Sequence, residues 1–281
     1  MSEQHGRGHR PDPPDVRARR AGFHILKSKR GFAEQLPLSV DLSPFVTAPG
    51  GPGILDQRDS SSCEGHAHAG AIATRFARNG APIALPSPIG IYTLARCIGR
   101  QPDANGNLPA LTDDGTEPSL VVRAIQEWGV SSATTWGHYP ADTATVNQEP
   151  TQEELERSSD FKLLGAYFMQ SVGDQLVIDI MTALAAGYPV SMGLPASGQE
   201  FNAYRGGILG ALSGPVDHAN YIVGYTLPAT GAYSQVVMTS VNSWSSGWGE
   251  GGMYRFGRAL VDQLEDCCAV DVIASAGSVE Q

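Results

Sequence analysis

The chain has 281 residues, 41% hydrophobic and 17% charged, with 33 glycines, 19 prolines and a formal net charge of −10. That is enough apolar material for one large domain or two small lobes sharing a cleft, and it excludes wholesale disorder. The absence of any run of about eighteen apolar residues excludes a membrane-spanning helix, and the acidic body argues against nucleic acid as the main partner.

Charge is unevenly spread. Residues 1–30 hold eight Lys or Arg against Glu3, Asp12 and Asp15, so the remainder is more acidic than the whole. Residues 1–35 are rich in Pro, Arg, Gly and His with little apolar periodicity, and read as a flexible basic leader or a short pro-segment. A basic tail can touch an acidic surface, but a solvated leader is the simpler reading. The start lacks an apolar h-region, so no secretory signal is expected. Cys63, Cys97, Cys267 and Cys268 are the four cysteines. Adjacent Cys267 and Cys268 cannot readily pair, and four thiols over this length are no disulfide framework. A reducing compartment follows: the cytoplasm, or export as an effector by a route that needs no signal peptide.

Order should begin near Leu36, where LPLSVDLSPF alternates, and GGPG at 50–53 is a turn. From Ser62, Ala67, Ala71, Ile72 and the Arg75–Phe76 pair recur at helical spacing, with Ser62 as the cap and Cys63 in the first turn. Further helices are expected over Pro86–Arg100 and Glu117–Gly129, the second with Pro118 in its first turn and Gly129 as its stop. Lys162–Gln170 alternates like a strand, and Asp174–Ala186 is an amphipathic helix ended by Gly187. PVSMGLP, HANYIVGY, SQVVMTSVNSW and GGMYRF read as strands. The front half is mostly helical and the back half mostly β.

Three segments could carry chemistry. In Gln57-Arg-Asp-Ser-Ser-Ser-Cys63 a thiol opens a helix, where the macrodipole favours thiolate. A side-chain amide six residues upstream could donate to an oxygen developing beside that sulfur. Taken alone, a cysteine opening a helix is more often a small core residue. In Val216-Asp-His-Ala-Asn-Tyr-Ile-Val-Gly-Tyr225 a His opens an apolar strand, which alone suits a core histidine. Val241-Asn-Ser-Trp-Ser-Ser-Gly-Trp-Gly-Glu-Gly-Gly-Met-Tyr-Arg255 places two tryptophans among glycines. The order Cys63, His218, Asn242 changes the weighing: a thiolate nucleophile needs a base, and the base needs an orienting carbonyl.

With these segments the chain resembles the papain-like cysteine peptidases, over about residues 36–273. NSW-SSGWGEGGMYRF is close to that family's Asn-Ser-Trp-Gly-x-x-Trp-Gly segment, and VDHANYIVGY matches its His strand. PVSMGLPASGQEFNAYRGGI resembles the strand and loop before that His, and SVDLSPF…ILDQ resembles the entry of bacterial, short-leader members. The resemblance implies Cys63 as nucleophile, His218 as base, Asn242 as its orienter, and Gln57 as an oxyanion donor beside the Cys63 N–H. Trp244 would shield the Asn–His bond, with Trp248 as wall or core. Gly115 and Thr116 lie at the substrate-pairing glycines. Asp217 would tune the catalytic pair, its alternative being a solvated loop carboxylate. Val216 and Ala219 suggest an apolar subsite for the second residue on the acyl side. Three departures stand out. Ser60 replaces a cysteine of a structural disulfide, Glu64 replaces an aromatic residue and opposes thiolate formation, and Thr116 replaces a glycine.

The expected fold is therefore α+β and papain-like. It has a helical lobe at about 55–150, an antiparallel β-barrel-like lobe at about 160–273, and a tail at 274–281. The expected function is hydrolysis of peptide bonds through a thioester, on extended peptide or protein substrates. No cofactor or metal is expected, nor a nucleic-acid or membrane partner, and a monomer suffices. Two alternatives stay open: an acyl transferase, peptide ligase or isopeptidase on the same scaffold, and a binding or effector module without turnover. A metal at Cys63-x-x-His66-x-His68 is disfavoured, because positions 66 and 68 of a helix point about 200° apart.

Overall fold

The structure is a computed structural model that describes residues 5–18, 20, 22, 36–137, 139, 145–158 and 161–274. Its strands are β1 (Ser39–Asp41), β2 (Phe161–Phe168), β3 (Val190–Pro195), β4 (Ile208–Leu209), β5 (Val216–Thr226), β6 (Val237–Val241), β7 (Met253–Gly257) and β8 (Glu265–Ala274). The four long helices are α1 (Cys63–Arg78), α2 (Pro88–Gly99), α3 (Pro118–Glu127) and α4 (Asp174–Ala185). The sheet runs β2-β8-β3-β5-β6-β7-β4, with β1 on β5 off this path. Among these described strands only β4 and β7 pair in parallel.

This is the expected α+β architecture, but the sheet is open where a barrel-like lobe was expected. Its terminal strands β2 and β4 do not pair. The reason lies in side-chain use: Phe161, Ala166 and Phe168 of β2, with Val270 and Val272 of β8, pack into the helical core beside Ile72, Leu94 and Ile125. An edge committed to the helices cannot also close on β4. The second core lies over β3, β5 and β6, where α4 contributes Val177, Ile180 and Leu184.

Helix α1 is wedged between the two cores, Ala71 facing one and Ile72 the other. Its small residues make that possible. A Cβ on Gly65 would run into the Pro88 carbonyl, and one on Gly70 would come within 2.5 Å of the Tyr221 ring. The wedge brings the first turn of α1 against β5, which sets where Cys63 sits.

Most element boundaries fall within two residues of expectation. α2 starts later because the Ser87 hydroxyl caps it, accepting from Gly90 N–H at 2.9 Å. Ser62 occupies the N-cap position of α1 without capping it. Its hydroxyl lies 2.6 Å from that of Ser60 and 3.2 Å from His66 Nδ1, partners that outcompete the helix end. The expected strand at SQVVMTSVNSW ends at Val241. Asn242 leaves the ladder, its N–H donating to the Gly252 carbonyl at 2.9 Å.

Candidate active site

Cys63, Ala67 and Ala219 form a small buried apolar group. Ala219 follows His218 on β5, so this packing brings Cys63 to the end of the strand that carries the imidazole, without a hydrogen bond between the two side chains. His218 Nε2–H donates to Asn242 Oδ1 at 2.9 Å. The same oxygen accepts the Ser243 N–H at 2.8 Å, which fixes the amide's orientation. The bond also fixes the tautomer of a neutral ring, leaving Nδ1 as the basic nitrogen. Buried Nδ1 has no hydrogen-bond partner among the described residues. Trp244, 1% exposed, stacks on His218 with centroids 4.8 Å apart and keeps water from the Asn–His bond. Trp248 stands edge-on to Trp244 at 5.5 Å and packs on Phe201, so it is wall rather than chemistry.

Gln57 is clamped by Ser243, whose hydroxyl donates to Gln57 Oε1 at 2.5 Å. The amide nitrogen therefore points the other way, donating to Ser60 O at 2.8 Å and to Gly6 O at 3.1 Å. That second acceptor belongs to the basic leader. Residues 5–10 lie against the loop before α1, Thr116 and Asp217. His5 stacks on Trp244 at 4.6 Å. Gly6 N–H donates to Arg58 O, and Thr116 N–H donates to Gly8 O at 2.9 Å. His9 N–H donates to Asp217 O and Arg10 N–H to Thr116 O, each at 3.1 Å. The His9–Thr116 pairing is parallel.

The sequence-predicted binding residues meet here. Gly115 has φ +89°, and a Cβ on it would run into the Gly8 carbonyl. Thr116 uses both backbone groups for pairing, so its extra side chain, buried, does not prevent a strand from docking. The Asp217 carboxylate is no solvated loop group. Its Oδ1 accepts the Ala196 N–H at 2.8 Å, and burial pushes its pKa up. Val216 lies half-buried opposite Pro195.

Charge complementarity holds the leader down. His9 Nδ1 contacts Glu64 Oε1 at 2.5 Å, and Arg10 reaches Glu117 at 3.0 Å. Arg17 pairs with Glu265 at 2.5 Å and Arg20 with Asp266 at 2.8 Å. Sequence reading missed Glu64 and Asp266 as partners of the leader. The available signal was the opposite charge of leader and body.

Burial dominates the titration of Cys63 and His218. The Cys63 thiol is pushed up by desolvation and next by the Glu64 charge, against N–H groups of Ala219, Gly8 and Glu64 that favour thiolate. His218 is pushed down to about 3 by desolvation, Asn242 opposing; Arg7, His9 and His5 of the leader depress it further. With the leader in place, both partners are held neutral.

His66 and His68 share α1 with Cys63 but face other groups. His66 Nδ1 donates to Ser62 O, and His68 Nδ1 to Glu64 O, each at 2.9 Å. Burial pushes His66 down from 6.5 to about 4. An unfolded chain takes up that proton near its ordinary pKa, while the folded chain resists until about pH 4. Stability is thus fully present above about 6.5 and declines as pH falls towards 4, by about 3 kcal/mol. Denaturant titrations at pH 7 and pH 4.5 should show this loss, and His66→Gln should flatten it.

Residues 52–276 match the family model described as papain family cysteine protease. Papain of Carica papaya is 42% identical over 83 residues, 29% of this chain and 22% of that protein. The senescence-specific cysteine protease SAG12 of Arabidopsis thaliana is 27% identical over 159 residues, 55% of this chain and 42% of that protein. The matches thus span less than half the length of these curated relatives. Xylellain, a cysteine protease from Xylella fastidiosa, superposes with TM-score 0.69 at 21% identity, over 96% of this chain and 97% of its own. Procathepsin B S9 of Trypanosoma congolense gives TM-score 0.66 at 17% identity, over 97% and 88%. These structures share the fold. With the family model matching well over half of its residues, the chain belongs to the papain family of cysteine proteases.

Proposed function

We propose that the chain hydrolyses peptide bonds through a thioester on Cys63, and that its leader is a pro-segment covering the groove. The Cys63 proton passes to His218 Nδ1, and the thiolate adds to the substrate carbonyl. The developing oxyanion is met by Gln57 Nε2 and the Cys63 N–H, each donor lowering the barrier by about 3–4 kcal/mol. The imidazolium then protonates the leaving amine, and water, deprotonated by His218, releases the acid and restores the thiol. Asn242 holds the ring on its Nε2 side throughout, so proton traffic is confined to Nδ1. The observation that carries this reading is the Gln57 amide, which already donates to a peptide carbonyl, that of Gly6.

The test is hydrolysis of a fluorogenic peptide library by the full chain, in wild-type form and with its leader loosened by substitutions at His9. Release of the fluorophore that disappears in Cys63→Ala supports the proposal. Equal release by Cys63→Ala, or none from any leader variant, overturns it. Transfer of the acyl group to an added amine in preference to water would assign the same thioester to a ligase.

A further inference from the structure

We propose that Glu64 and Asp266 make an acidic pocket that selects a basic side chain at the substrate residue opposite Thr116, the second on the acyl side. The substrate's identity as a peptide rests on the reading above; the pocket's chemistry does not. The pocket is occupied by the side chain of His9, the leader residue that lies opposite Thr116. One ring nitrogen contacts Glu64 Oε1 at 2.5 Å, and the other lies 3.7 Å from Asp266 Oδ2. All three side chains are at most 2% exposed. The space exists because position 193 is glycine: a Cβ there would run into the His9 ring. Gly193 pairs with Ala219 on β5 and with Glu265 on β8, so the pocket adjoins His218.

This pocket differs from the apolar subsite suggested by Val216 and Ala219. Ala219 supplies an apolar neighbour, but carboxylates face the occupant. Their other contacts explain what the pocket wants. Asp266 is neutralised by Arg17 and Arg20, which belong to the leader. Among the described residues Glu64 has one ion-pair partner from the body, His68, at 3.4 Å. When the leader leaves, Asp266 loses Arg17 and Arg20 and Glu64 loses its contact with His9, and a poorly compensated carboxylate in an enclosed site is costly. A Lys, Arg or His side chain of the substrate replaces the missing charge. A leucine does not.

The leader itself offers the first test, in the full chain and without turnover. Alkylation of Cys63 by iodoacetamide reports how well the leader covers it. His9→Arg and His9→Lys should keep protection within about threefold of wild type. His9→Leu should speed alkylation about tenfold or more, the usual scale of a lost charge-assisted hydrogen bond. Glu64→Gln, nearly isosteric, should erase the Arg-over-Leu difference, and Asp266→Asn, at a φ of +54° that asparagine tolerates, should reduce it. Protection by leucine equal to or better than by arginine overturns the proposal. The second test is turnover by the His9→Leu chain on peptides differing only at that residue. Arginine should be preferred over leucine about tenfold in kcat/KM, the preference collapsing in Glu64→Gln. Because Glu64 also opposes the thiolate, the ratio and not the absolute rate is read. Cys63-dependent hydrolysis with leucine preferred sinks the pocket alone. Absence of Cys63-dependent hydrolysis sinks the peptidase reading, and the alkylation series still decides the pocket.

Discussion

Replacing His218 by alanine is expected to lower kcat/KM for peptide hydrolysis by about 10⁴-fold or more, the scale seen when a base is taken from a nucleophile that depends on it. The dependence is strong because the environment of Cys63 works against its charged form. Desolvation and the neighbouring Glu64 carboxylate both push the thiol up. Without an imidazole to take the proton, little remains to make thiolate except the N–H groups around the sulfur. In the proposed mechanism the same ring returns the proton to the leaving amine, so both halves of the reaction should fail together. Asn242→Ala should cost less, because Trp244 still stacks on the ring at 4.8 Å and confines it. It should nevertheless release the tautomer, since the 2.9 Å bond from Nε2 holds that proton away from the thiol side. Steady-state rates of the three chains, measured in the same leader-loosened background with melting curves to confirm folding, check the order. A His218→Ala chain within tenfold of its parent would remove the base from the mechanism.

The residues of this site were legible because their chemistry sits in local patterns. Cys63 opens a helix, His218 opens an apolar strand, and Asn242 begins a glycine- and tryptophan-rich turn. The 3.6-residue period of α1 and the apolar run of β5 placed those features without knowledge of the fold. Contacts made only by folding were not legible. The bond from His9 to Glu64 joins positions 55 apart, and the leader has no periodicity to betray a docked strand. What it does carry is charge, and charge alone does not separate a solvated tail from one lying on its own acidic body. The Ser62 hydroxyl failed as a cap because Ser60 and His66 were brought to it by tertiary packing. The open sheet likewise reflects a choice between cores: the side chains of β2 serve the helical lobe, which no alternation pattern states.

Reversing the charge of the leader at two positions, Arg7→Glu with His9→Glu, is expected to raise both Cys63 alkylation and peptide hydrolysis by the full chain about 10²-fold or more. At position 9 a glutamate would be buried 2.5 Å from where Glu64 Oε1 lies and near Asp266, and like charges in a desolvated pocket cannot both ionise. At position 7 it would face Asp217, now 3.9 Å from the Arg7 guanidinium. Around positions 7 and 9 the remaining anchors are the backbone hydrogen bonds to Thr116, Asp217 and Arg58, each worth about 1 kcal/mol net, and the His5–Trp244 stack, while the ion pairs of Arg10, Arg17 and Arg20 hold the chain beyond. Those do not offset two repulsions, so the segment leaves. Its departure should also change Cys63 and His218. Burial is the main reason that His218 lies near 3, and Arg7, His9 and His5 add to it. Uncovering the groove removes those three charges and lessens the burial, so the imidazole is expected to rise and the thiol to fall, the lost Gly8 N–H opposing the latter. Proton transfer from Cys63 to His218 becomes favourable near neutral pH. The alkylation rate of the doubly substituted chain should accordingly hold up as pH falls from 8 to 6, where an ordinary thiol with pKa about 8.5 loses most of its thiolate. The wild-type chain should stay slow across that range. Added salt should help the wild type only slightly: it screens the exposed ion pairs of Arg10 and Arg17, not the buried contacts of His9. An alkylation rate in the substituted chain within threefold of wild type would show that these residues do not gate the thiol.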